Sequence, residues 1–406
     1  MSFRAAAPSL LPCMQRKAEL AMKIKKYGLA GLCILMAVIV AFCYSKQQET
    51  VIVGINLALS GENQAQGEAT ERGIVLAKNQ LNKRGGLLGR PVKLVSVDNH
   101  GKPTDAAMAV QQLNMRHTAA IIGPNIHDCA VAAVPDILDK KIPMISPAGV
   151  QPDITVDMQQ KTVYPYVFRT AFLNAQQGET MAAYAMAACS AQRTAVLYED
   201  TAYSQELASH FKDAIERHGG EVLVYQDVSG DVDTSAVIAA LKAQSCQAVY
   251  LPVSQEQAAV WIPSLRDAGI GCPVLGPDSW QGELLAAGLH ADYLRRVFYA
   301  AQYATDAKDP VSEDFAEEYY EMYGELPDSY AALGYDAFML LAKAAENGQS
   351  VKREDIAAQL QQLREYQGVT GSMLFDGQHN PVKPVCILTF WENEPAFLEK
   401  QQAADI

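Results

Sequence analysis

From residue 50 onward the chain alternates short apolar, β-branched runs with longer stretches whose apolar residues recur every three or four positions. Those two periods mark buried strands and amphipathic helices. Residues 51–59 predict a strand, and 65–84 a helix with Ala69, Gly73, Leu76, Ala77 and Leu81 on one face. Gly85-Gly86 stops that helix, since glycine readily adopts the left-handed backbone that closes a helix end. Strands at 91–98, 118–123 and 142–146 follow, separated by helices at 104–115 and 129–138. Repeated β-α-β order implies parallel sheets covered by helices on both faces.

A second series opens after a strand-like segment at 166–171. Helices at 175–190, 203–218, 233–244 and 255–268 alternate with strands at 194–198, 221–226, 248–253 and 273–276. His218-Gly219-Gly220 repeats the stop chemistry of Arg84-Gly85-Gly86. After a strand at 296–301 come helices at 311–323, 329–346 and 353–365, and short strands near 372–375 and 384–391 end the fold. Two series of one type imply two lobes, and without a long linker they are expected to be joined by extended crossover strands. In open α/β sheets ligands bind beyond the carboxyl ends of the strands, where helix N-termini offer free N–H groups. Two such lobes facing each other form a cleft that can close on a solute.

Charge changes the picture at the N-terminus. The first 49 residues carry seven Lys/Arg against Glu19 and Glu49; subtracting these from 33 Lys/Arg and 46 Asp/Glu leaves a body of 26 basic and 44 acidic residues, net −18. So acidic a body is not held on a phosphate backbone, which excludes nucleic acid as a partner. Lys23, Lys25 and Lys26 precede an uncharged apolar run at 27–44, the order of a secretory signal. The run has the minimum length for a spanning helix, so an uncleaved membrane anchor is the alternative. Either arrangement leaves the body outside the cytoplasm. Met22, directly before Lys-Ile-Lys-Lys, offers a second start, and Cys43 invites lipidation although Phe42 stands where lipoprotein signals place a small residue.

The body has five cysteines, Cys129, Cys189, Cys246, Cys272 and Cys386, none at metal-ligand spacing. Cys246 and Cys272 each precede a predicted strand, and consecutive parallel strands would bring those starts together. Two readings stand: a Cys246–Cys272 bridge, or five buried thiols.

Several strand-end loops carry a known pattern. Leu59-Ser60-Gly61, Asn82-Lys83-Arg84-Gly85-Gly86, Ile122-Gly123-Pro124, Pro143-Met144-Ile145-Ser146-Pro147 and Tyr198-Glu199-Asp200-Thr201-Ala202-Tyr203 resemble the type I periplasmic binding proteins, most closely the Leu/Ile/Val-binding branch that serves ATP-driven amino-acid importers. The resemblance extends in order from about Val51 to Asp376. It implies an α/β fold of two Rossmann-like lobes with parallel sheets joined by crossover strands. It also implies a division into 1–49 as signal or anchor, 50–171 plus 303–372 as lobe 1, and 172–302 plus 373–406 as lobe 2. Family members capture an amino acid with hydroxyls and backbone groups of lobe 1 and a tyrosine and an acid of lobe 2.

Here Tyr203 and Asp278 match that tyrosine and acid, and Gln66 falls where an aromatic lines the side-chain pocket. The usual serine pair is replaced by His127 and Asp128, and the usual Ala-x-Thr by Ala148-Gly149-Val150, so Val150 lacks the head-group hydroxyl. His127 has ring nitrogens able to meet a carboxylate, and Gly149 could present its N–H. Ser254 sits on a cleft-lining loop, and Trp280 either stacks on the ligand or packs inside. Each has a plainer reading: Asp278 as a helix cap, Tyr203 as surface packing, His127 and Asp128 as a solvated turn.

The implied function is extracytoplasmic capture of an amino acid or related small polar solute, handed to a membrane permease and ATPase. A membrane-tethered receptor that signals through another protein is the alternative. No nucleophile elbow, zincin helix, phosphate loop or dinucleotide fingerprint occurs, so neither an enzyme nor a cofactor is expected.

Overall fold

The structure, a computed structural model, describes residues 50–307 and 309–402; the expected leader at 1–49 lies outside them. Among the described residues no helix is long and apolar enough to cross a membrane.

The first sheet is fully parallel, in the order Val92–Asp98, Val51–Leu57, Ala120–Ile122, Met144–Ser146, Val167–Arg169. Its second strand, Val51–Leu57, buries Val53, Ile55 and Leu57 almost completely. Helices cover both faces, which is why this strand reads as a near-continuous apolar run rather than an alternating one. Helices Gln64–Lys83 and Ser329–Gly348 close one face through Ile74, Ala77, Leu81, Phe338 and Leu341. Pro103–Met115 and His127–Lys140 close the other through Val110, Leu113, Ala133 and Ile137. The first two of these helices touch backbone to backbone: a Cβ on Gly73 would lie 1.9 Å from the Ala331 carbonyl oxygen. Only glycine fits at that crossing.

The second sheet has seven strands, in the order Glu394–Gln401, Val385–Trp391, Val297–Ala301, Val274–Gly276, Ala248–Tyr250, Arg193–Tyr198, Glu221–Asp227. Its last five strands are parallel, whereas the terminal pair is antiparallel. The sequence pattern predicts an end near 391, but the chain turns at Glu392-Asn393 and returns as one more strand. Both turn residues have positive φ, 49° and 66°, the mirror-image turn whose twist suits a tight hairpin. No Asn-Gly or Asp-Gly marks it in the sequence. Likewise, the helix expected over 353–365 stops at Gln362, and Glu365–Gly368 pairs with Gly371–Phe375 in a three-stranded sheet packed on the first lobe. The lobe boundary implied at 372–373 thus falls inside a strand.

Among the described residues the chain passes between the sheets at 170–173, 302–307 and 383–384, and each stretch holds a buried polar residue: Thr170, Gln302 and Lys383. The Lys383 ammonium donates to Thr370 Oγ1 at 2.8 Å and lies 5.8 Å from the centre of the Phe172 ring. Thr370 in turn donates to Asp336 at 2.6 Å, and Asp336 also takes the Val369 and Thr370 N–H groups. Burial pulls the Lys383 pKa down to about 8 against the opposing field of Asp336. This network ties the first and third crossings to the helix Ser329–Gly348.

Cys246 and Cys272 are free thiols, so the expected bridge is absent. The register explains it. Val249 faces Val274 across the parallel pair, and continuing back sets Cys272 opposite Gln247 rather than Cys246. One residue out of step moves a side chain toward the opposite face.

Candidate functional site

The strand ends of both sheets point their loops at a cavity of about 100 Å³ between the lobes. Ala148 and Val150, after Met144–Ser146, form one wall together with Ser329, Tyr330 and Leu333 from the start of helix Ser329–Gly348. Tyr203, Asp278 and Ser279 face them from the second lobe, and Gln302 of the middle crossing closes the back.

Asp278 is the electrostatic centre. Its Oδ1 accepts the Tyr203 hydroxyl at 2.6 Å and the Gln177 amide at 2.8 Å, and its Oδ2 accepts the Gln302 amide at 2.9 Å. Gln177 also receives the Asp278 backbone N–H at 3.0 Å, which fixes the loop after Val274–Gly276. Burial, reinforced by Asp278, raises the pKa of Tyr203 well above that of a free phenol, so its hydroxyl stays a donor. Tyr330 is raised for the same two reasons. No described lysine, arginine or histidine lines the cavity, which leaves the carboxylate facing a space that favours a cation.

The opposite wall has the reverse character. Among the described residues the backbone N–H groups of Ala148, Gly149 and Val150 donate to no protein acceptor. The loop's carbonyls are held instead: Arg169, fully buried, donates to Gly149 O at 3.0 Å and Gln151 O at 2.7 Å. Backbone N–H groups without an acceptor are donors available to an anion. Val150 supplies no hydroxyl, so within 148–150 only the backbone offers donors, beside the Ser329 and Tyr330 hydroxyls on the same wall.

Of the residues singled out from sequence, Ala148, Val150, Tyr203 and Asp278 line the cavity. Gly149 is buried just behind it, where a Cβ would meet Ile154 Cδ1 at 2.5 Å. Outside the lining lie His127, Asp128, Gln66, Ser254 and Trp280. His127 sits in the first turn of helix His127–Lys140 with both ring nitrogens engaged, Nδ1 by Asp128 at 2.7 Å and Nε2 by Asp153 at 2.9 Å. The Asp153 bond raises its pKa above the ordinary histidine value, although partial burial opposes the shift. Gln66 lies in the first turn of Gln64–Lys83, where its carbonyl accepts the Thr70 hydroxyl. Ser254 caps helix Gln255–Asp267, and its N–H and hydroxyl both bond Glu199. The Trp280 ring is buried, its indole N–H bonded to Val253 O at 2.9 Å.

Sequence reasoning passes over Gln177, Ser279, Gln302, Ser329, Tyr330 and Leu333. The start of helix Ser329–Gly348 carried one local signal, Asp328, whose side chain caps it through the Ala331 N–H. Helix starts in such folds face the crevice, but that a helix so late in the chain returns to the first lobe is a fact of topology.

Two helix-covered sheets, three crossings and a polar cavity between them define a two-lobed solute-binding scaffold. The chain belongs to the family described as periplasmic binding protein, which matches residues 50–393. It is 24% identical over 360 residues to Leu/Ile/Val-binding protein homolog 1 of Brucella abortus (strain 2308), covering 88% of this chain and 95% of that one. The branched-chain amino acid transporter substrate binding protein LivJ from Streptococcus pneumoniae, solved in complex with isoleucine, superposes with a TM-score of 0.75 at 26% identity, over 87% of this chain and all of that one. A solute binding protein from R. palustris in complex with benzoate aligns with a TM-score of 0.71 at 25% identity, over 87% and 97% of the two chains. One scaffold thus holds ligands of different chemistry in these two proteins.

Proposed function

We propose that this protein captures an amino acid outside the cytoplasmic membrane and delivers it to an ATP-driven importer. The observation that carries the reading is the polarity across the cavity: Ala148 and Val150, whose N–H groups have no acceptor among the described residues, on one wall and the Asp278 carboxylate on the other. A zwitterionic head group satisfies both. Its carboxylate would take the N–H groups, and its ammonium would take Asp278 with Tyr203 beside it. Leu333, Val150 and Tyr330 would pack against the carbon skeleton. Closure of the lobes would exclude water and strengthen each polar contact. Relatives named for leucine, isoleucine and valine, and a neighbour holding isoleucine, support an amino acid over other solutes. The basic residues and apolar run before residue 45 support export.

The test is a thermal-shift screen on protein refolded from denaturant, which strips carried-over solute. The panel holds amino acids, their amides, urea, short carboxylates and polyamines. Ligands that bind only the native state raise the melting temperature. A shift with free amino acids, lost when either the carboxylate or the amine is blocked, is the expected result. A shift confined to simple carboxylates or urea would refute the head-group assignment.

A further inference from the structure

A second chamber of about 220 Å³ adjoins the cleft cavity and shares Asp278, Ser279, Ser329 and Tyr330 with it. It lies between the middle crossing, the loop 278–283 and the start of helix Ser329–Gly348. Its floor is aromatic: Trp280, Tyr299 and Tyr303 are each at most 5% exposed and line it. Its rim is acidic, with Glu283, Asp306 and Asp328 joining Asp278, and no described lining residue is basic. Glu283 has no ion-pair or hydrogen-bond partner among the described residues, whereas Asp306 accepts the Phe397 N–H and Asp328 the Ala331 N–H.

Tyr299 supplies an independent sign of a ligand. It is 3% exposed, yet its hydroxyl has no hydrogen-bond partner among the described residues. A Cβ on Gly282 would lie 2.1 Å from that hydroxyl, so the glycine leaves the room it occupies beside the chamber. The hydroxyl is not among the sealed, unpartnered polar atoms of the described residues, so it opens on the chamber it lines, where a ligand can reach it. Burial raises this phenol's pKa, and the fields of Glu283 and Asp306 raise it further, so an acceptor is near but no donor or cation completes the set.

We propose that this chamber binds an organic ammonium group, held over the aromatic floor and neutralised by Glu283 and Asp306. Ring faces attract cations through their quadrupoles, most strongly when water is excluded, and carboxylates at the rim add a direct charge pair. The shared wall with the cleft allows that group to be the far end of the solute whose head group sits at Asp278, as in an amino acid with a terminal amine. That linkage rests on the amino-acid reading above, whereas the cation site itself does not.

Calorimetric titration of the full chain separates the possibilities, with norleucine, lysine and butylammonium as probes and Glu283→Gln and Tyr299→Phe as variants. The expected result is lysine binding at least about tenfold tighter than norleucine, with Glu283→Gln removing most of that margin and leaving norleucine unchanged. Butylammonium binding to norleucine-saturated protein, weakened by Glu283→Gln, would support the same site filled by a separate cation. Norleucine binding with no advantage for lysine and no butylammonium binding would overturn the cation site and leave the amino-acid reading intact. Butylammonium binding that Glu283→Gln weakens, without any amino-acid binding, would keep the chamber and refute that reading. Failure of all three ligands with folded protein would overturn both.

Discussion

Replacing Asp278 by asparagine removes one charge while keeping the shape of the side chain. In the free protein the carboxylate accepts hydrogen bonds from Tyr203, Gln177 and Gln302. Asparagine retains one oxygen acceptor and presents an NH₂ where a second acceptor stood, so at least one of these donors loses its partner. That costs about 1–3 kcal/mol of stability. Binding is expected to suffer more. An ammonium closed against a neutral amide loses a charge-assisted bond and its counter-charge, worth about 2–5 kcal/mol when one member of a buried pair is removed. Because Asp278 is partly exposed, solvent screening holds the loss near the lower end, about 2–3 kcal/mol, or about 30- to 150-fold in Kd. Calorimetric titration of wild type and variant with the amino acid selected by thermal shift measures this directly, and circular dichroism confirms that both are folded. A Kd within twofold of wild type in a folded Asp278→Asn protein would show that the carboxylate does not meet the ligand.

Three further outcomes follow from the contacts described. The His127–Asp153 pair should stabilise the fold most between about pH 4 and 6.5: the raised histidine contributes fully below its unfolded pKa and loses that as pH climbs through the folded value, while the lowered aspartate loses its share as pH falls through its own. Melting temperatures of wild type and His127→Gln should therefore differ most in that window, and an equal difference at pH 5.5 and pH 9 would count against the pair. Ser254→Ala should cost about 0.5–2 kcal/mol in urea unfolding as a lost helix cap, with ligand affinity unchanged; a weakened Kd at constant stability would place Ser254 in the site. Gly73→Ala forces a methyl into the Ala331 carbonyl, so the helix pair must part, at about 1–3 kcal/mol or more. An unchanged urea midpoint would mean that the helices are not in contact there.

The sequence by itself determined most of the elements and their type, though not the strands Glu365–Gly368 and Glu394–Gln401 or the helix Gly282–Gly288, because hydrophobic period reports which faces are buried wherever burial is on both sides of a sheet or one side of a helix. The family resemblance also singled out Tyr203, at a helix start, and Asp278, on a strand-end loop, both at the crevice side of the second sheet. Only the tertiary structure decided what each polar side chain meets. His127 is taken up by Asp153, 26 residues away, and Ser254 by Glu199, 55 residues away. Gln302 and Tyr330 enter the cavity because the chain crosses between the sheets three times and returns a late helix to the first lobe. The separation of Cys246 from Cys272 turns on one step of strand register, and the last strand on two turn residues with positive φ. Local periodicity carries no information on these points, since a donor's partner is set by crossings and register between segments far apart in the chain.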